Sequence, residues 1–204
     1  DSVAAKGELL GLPLVMGSCW LALLAARTGD REGAAAPPAR RALLQAGVAG
    51  LLAASALGMK QNLAGGLVFG AVLLLGGALS GRLAPGRAAR LGAAAAAGAV
   101  VPVAATVGWA LAAGVRLETL WYDVYGFRSD AFAVISTYSS QANEVRALEL
   151  LSFAFAAGMV LIIGGFVVHA VDEWRDEPAL TAAIVAMIAV DVVALALGGS
   201  FWRA

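Results

Sequence analysis

The sequence is poor in charge. Lys, Arg, Asp and Glu make up 14% of its 204 residues, whereas a soluble domain carries about 25%. Net charge is zero and no long basic or acidic run occurs, which argues against a nucleic-acid partner. Cysteine is nearly absent. Cys19 stands alone, so no intrachain disulfide can form, and its plain reading is a small buried apolar residue. Histidine is equally scarce. His169 lies beside Asp172 and Glu173, too few ligands for a metal site. No cofactor motif is identified: GxGxxG after a strand, a P-loop, HExxH, CxxC and GxSxG are all missing. Nor is there a basic stretch leading into a short cleavable apolar segment, so no signal peptide is read. The chain opens on Asp1 and closes on Ala204 just after an apolar segment, and reads as a piece of a larger protein.

What is present is apolar. Hydrophobic residues reach 61% and mean hydropathy is +0.83. A soluble fold of this size has too much surface per unit volume to hide so much apolar area. Lipid removes that demand, so an all-α polytopic transmembrane helix bundle is expected. A span takes about 20 mostly apolar residues, and six segments approach this: about 8–26, 42–59, 63–80, 92–114, 149–169 and 179–198. One transmembrane domain covers residues 1–204, without a visible boundary or repeat. Ala and Gly dominate several spans, as in Ala93 to Ala97. Small residues let backbones approach closely in lipid. Gly66 and Gly70 match a small-xxx-small face, a common match in a chain with 25 Gly.

Arginine placement gives an orientation. Arg27, Arg31, Arg40 and Arg41 follow the first span, and Arg82, Arg87 and Arg90 follow the third. The positive-inside rule puts both loops in the cytoplasm, and with them Val171 to Pro178 after the fifth span. The opposite side then receives residues 1–7, the junction Lys60-Gln61-Asn62, the segment Val115 to Leu148 and the end 198–204.

Several polar residues on that outer side invite a functional reading. Lys60 sits between two apolar segments, at or just inside the interface. It either snorkels to the headgroups or receives an anion such as phosphate, with Gln61 and Asn62 as neutral donors. In the outer segment, Leu117, Leu120, Val124 and Phe127 recur at helical spacing, with Trp121, Tyr122 and Tyr125 among them. A short amphipathic helix in the interface plane fits, either as a structural belt or as the wall of a site reached by Asp123, Arg128 or Asp130. Residues 139–143 read as a mobile cover. Glu8, at the outer start of the first span, either complements the helix dipole or joins the site. Asp191 lies about midway along the last span and is expected to face protein rather than lipid.

Three stretches resemble the membrane domain of GT-C glycosyltransferases, in the bacterial branch of protein O-mannosyltransferases and aminoarabinose transferases. They are Gly7-Glu8-Leu9-Leu10, then Leu57-Gly58-Met59-Lys60-Gln61-Asn62 followed by Gly66-Leu67-Val68-Phe69, and Gly198-Gly199-Ser200-Phe201-Trp202-Arg203. The stretch around Lys60 resembles the family's Gly-to-Lys-Gln junction. The stretch ending at Arg203 resembles the segment preceding a His-Tyr pair. The resemblance implies a polyprenyl-phosphate-sugar donor held near Lys60, with an acceptor arriving from the extracytoplasmic side. Inversion at the anomeric carbon needs a carboxylate base and cationic stabilisation of the leaving phosphate. Lys60, Arg128 and Arg203 are candidates for the cation, and Asp123 and Asp130 for the base, with Tyr122 and Glu8 as further substrate contacts. The family's usual acid lies in a first outer loop that this chain does not contain, and the His-Tyr pair is absent too. The competing readings are a transporter or flippase subunit, which favours polar residues near the midplane, and a membrane scaffold without chemistry.

Overall fold

The computed structural model describes residues 7–28, 39–60, 63–127 and 155–197, with isolated positions at 130, 134, 145, 148, 149, 152 and 153. Among them there is helix and no strand. In chain order the helices are α1 (Gly7–Arg27), α2 (Arg40–Met59), α3 (Gly65–Leu79), α4 (Pro85–Ala112), α5 (Leu117–Trp121) with a π-helical turn at Tyr122–Gly126, α6 (Met159–Glu173) and α7 (Pro178–Leu197). Three are long and apolar enough to cross a membrane: 10–27 of α1, all of α2 and all of α4. At 15 residues each, α3 and α6 reach only about 22 Å, short of a hydrocarbon core of about 30 Å.

Two boundaries differ from expectation. α4 starts at Pro85 rather than near residue 92. Proline suits the first helical position, where its missing N–H has no partner to lose. The extra turns carry Arg87 and Arg90 out of the loop and onto the helix. The fifth apolar segment forms α6 only from Met159, after a break at Gly158, whose φ of +72° is left-handed. The connection to α7 shortens to residues 174–177.

The chain divides into two compact units. The first holds residues 1–105 and 173–194, and the second residues 106–172 and 195–204. In the first unit the interior is small. Ala42, Ala46, Ala49, Ala53 and Ala56 recur along α2 at alternating spacings of three and four, and all are buried. That periodicity forms one seam along the helix. Alanines bury little area, so close backbone approach carries the packing. A Cβ on Gly50 of α2 would lie 2.6 Å from the Ala95 carbonyl carbon of α4, and one on Gly98 would lie 2.7 Å from that of Gly47. Both contacts meet backbone, which cannot swing aside. Gly66 and Gly70 of α3 likewise face Ser18 and Ala22 of α1, so the small-xxx-small spacing marks a contact face.

Large apolar side chains point the other way. Leu10, Leu12, Met16 and Trp20 of α1, Leu44 and Val48 of α2, and Leu75 and Leu79 of α3 are exposed, Leu79 to 89%. A water-facing surface does not carry apolar area on this scale. Small residues inside and large ones outside is the arrangement suited to lipid, where tails solvate the large side chains and tight packing joins the helices.

Hairpin connections order the first unit. Gly81, at φ +74°, ends α3, and Leu83 N–H then donates to Gly77 O at 2.9 Å. This is a glycine-terminated helix end, with Leu83 buried against the last turn. Gly76 packs on Ala179 and Gly65 beside Asp191, so α7 runs antiparallel to α3. The end of α1, the α3–α4 turn and the start of α7 therefore share one end of the unit.

Candidate functional site

The two ends of the first unit differ in chemistry. At the arginine end, Glu177 receives two guanidinium groups, Arg82 at 3.2 Å and Arg27 at 3.6 Å. Arg82 also donates to the Asp176 carbonyl. Arg87, only 4% exposed, donates to the Ala26 carbonyl at 3.3 Å and thereby caps the C-terminal turn of α1. The Thr28 hydroxyl donates to Leu24 O at 2.6 Å and lies 3.0 Å from the Gln45 side-chain amide, linking α1 to α2. The loops that the arginine count assigns to one side do meet at one end.

Lys60 stands at the other end. It closes α2 in an extended conformation (φ −155°, ψ 126°), half-buried, its N–H donating to Ala56 O at 3.1 Å. Its carbonyl accepts from Leu63 N–H at 2.9 Å, which folds the junction back on itself. Leu63 in turn covers Gly11 of α1. Glu8 lies one turn earlier on α1, so its backbone belongs to the same end; its side chain lies outside the described residues. Gln61 and Asn62 lie outside them too.

Asp191 keeps the mid-depth position that its place along the last span predicts. Gly66, next to the glycine it touches, faces Ser18 and Ala53, and Met187 on the same helix meets Cys19, all well inside α1 and α2. The expectation that it faces protein is corrected: the carboxylate is exposed on this chain. Its Oδ1 lies 3.0 Å from where a Cβ of Gly65 would stand, at the first residue of α3 and five residues beyond Lys60. The carboxylate thus meets the positive end of a helix dipole, and glycine leaves it room. One turn back on α7, Met187 accepts a 3.7 Å contact from the Cys19 thiol of α1. Lys60 and the Glu8 turn therefore mark the end of α2 and α1, while Asp191 lies deeper, beside the first residue of α3. Sequence patterning misses the contact of Asp191 with Gly65 because the pairing of α7 with α3 is tertiary. Gly65 is its only sequence trace.

The second unit holds the remaining described candidates. The spacing of Leu117, Leu120, Val124 and Phe127 predicts one continuous amphipathic helix, but α5 gives way at Tyr122 to a π-helical turn. The wider turn breaks the stripe: Leu120 and Val124 are half-buried while Leu117 and Phe127 are exposed. Such turns are frequent at functional sites. Gly126 is required here, because the Tyr122 ring lies 2.6 Å from where its Cβ would stand. The Tyr122 hydroxyl donates to Asp130 Oδ2 at 2.9 Å. That hydrogen bond, then the carboxylate's charge, holds the phenol above its ordinary pKa by disfavouring phenolate. Asp123 is exposed beside this pair. Arg128 and Arg203 lie outside the described residues.

Among the described residues, no three His, Cys, Asp or Glu side chains converge to hold a metal. No family model, curated protein or solved structure matches this chain.

Proposed function

We propose that this chain is part of a multi-pass cell-membrane glycosyltransferase of the GT-C kind. It transfers a sugar from a polyprenyl-phosphate donor to an acceptor on the extracytoplasmic side. The observation that carries the reading is the folded Lys60 junction at the end of the first unit opposite its arginines, with the Glu8 turn of α1 at the same end. An ammonium group at a helix junction is a suitable partner for a lipid-linked phosphate. Acceptor activation requires a carboxylate base, for which Asp123 and Asp130 are the candidates, and Lys60 is the candidate partner of the departing phosphate. The resemblance around Gly58-Met59-Lys60-Gln61-Asn62 supports the same assignment.

The second reading is a transporter or flippase subunit, which polar residues near the midplane favour; Asp191, level with Ser18 and Cys19 in the middle of α1, is the observation on its side.

The test is sugar transfer by the full-length protein with a synthetic polyprenyl-phosphate donor. Lys60→Ala is expected to lower turnover at least tenfold, and Lys60→Arg to restore part of it. Unchanged turnover in Lys60→Ala removes Lys60 from the site.

A further inference from the structure

Among the described residues, Arg27, Arg40, Arg41, Arg82, Arg87, Arg90 and Arg175 belong to the arginine end of the first unit, against Glu173, Asp176 and Glu177, with Asp172 next in the chain. Arg87 is the most confined of them. It is over nine-tenths buried, and its only described hydrogen bond runs to a neutral carbonyl, while its Nε has no hydrogen-bond partner. A desolvated guanidinium without an anion is costly, and a planar fork of this kind suits phosphate oxygens.

An apolar cavity of about 210 Å³ lies between α1, α2, α3 and α4, and Arg87, though not part of its lining, is one helical turn from it on α4. Ala25, Ala46 and Leu91 line it near the arginine. Ala53, Gly66 and Ser18 line it farther in. Leu91 is one turn beyond Arg87, and Ala25 adjoins the carbonyl that Arg87 caps. From Leu91 to Ala99 the lining follows α4 for about 12 Å, within the depth of one leaflet. Ser18 is the one polar residue of the lining, so the cavity offers a solute almost no hydrogen bonds.

We propose that this end binds the phosphate of an anionic phospholipid through Arg87 and its neighbouring arginines, with one alkyl chain seated in the cavity below. Charge complementarity selects the headgroup, and the apolar cavity selects a lipid over a free anion. The small residues that permit close helix contact also leave the slot that a chain fills. The proposal rests on the membrane embedding of the chain and not on sugar transfer.

The experiment uses full-length protein, purified in mild detergent and stripped of lipid. It is given phosphatidylglycerol, phosphatidylcholine or inorganic phosphate. Native mass spectrometry reads retained lipid, and the thermal midpoint reads stabilisation. Phosphatidylglycerol is expected to be retained at least tenfold better than phosphatidylcholine and to raise the midpoint. Phosphate alone should leave the midpoint unmoved. Arg87→Gln should lower phosphatidylglycerol retention at least tenfold. Gly92→Leu gives a second variant, because a Cβ there meets only Leu74 at 4.0 Å and the side chain fills the cavity. It should lower retention while the helix content stays that of the parent. Equal retention of the two lipids, full stabilisation by phosphate alone, or parental retention in Gly92→Leu would each overturn the proposal. A protein that stays monodisperse without detergent overturns instead the membrane embedding on which it rests.

Discussion

The two ends of the first unit are both polar but are built differently. The arginine end is stapled by side chains: Glu177 ties α1 to the α3–α4 turn, and Arg87 ties α4 to α1. The lysine end is shaped by backbone: Lys60 and Leu63 fold the junction, and Gly11 admits Leu63. Stapled charges hold helices in register. An ammonium at a folded junction is better placed to meet a ligand than to bind helices together. The proposed function assigns the scaffold to one end and the chemistry to the other.

The sharpest way to break that contrast is a substitution on the lysine side that spares the fold. Lys60→Met keeps the length of the side chain and removes the charge. Turnover in the full-length protein is expected to fall at least tenfold, with an unchanged thermal midpoint. Full activity would make Lys60 a headgroup contact only. The seam between the ends comes next. Gly50→Leu forces a side chain onto the Ala95 backbone and is expected to cost about 1–3 kcal/mol, read by thermal unfolding in detergent. On the arginine side, Glu177→Gln should cost under about 1 kcal/mol, because both ion pairs are well exposed to solvent. Its turnover should match the parent. Activity that falls without loss of stability would place chemistry at the wrong end. The smallest effect concerns the second unit. Asp130→Asn should bring the Tyr122 phenol back down toward its ordinary value, seen as earlier phenolate absorbance in an alkaline titration. The sign follows from the raised pKa: the interaction is intact at neutral pH and is lost only as pH climbs through the tyrosine's own titration.

Much of the helix layout is legible in the sequence. Apolar runs bounded by Arg27, Arg40 and Lys60 delimit α1 and α2 to within two residues, because charge is expelled from such segments. The start of α4 is harder, since arginines read as loop. Pro85 carried the signal, and Arg87 overrides its charge by capping α1. The fifth segment is misjudged because apolar residues continue across Gly158, where the backbone turns left-handed. For the candidate site, Lys60 is visible as a charge between apolar runs. Asp191 is visible as a charge within one, but its place beside Gly65 follows from helix pairing that one-dimensional spacing does not encode.

The central claim is topological: the chain crosses the membrane with Lys60 at the outer end and the arginines at the inner one. Single cysteines introduced at 60 and at 82 test it directly, since Cys19 is buried and gives little background. A membrane-impermeant maleimide added to intact cells should label position 60 and reach position 82 only after permeabilisation. Labelling of both positions from outside, or of position 82 alone, would contradict the account.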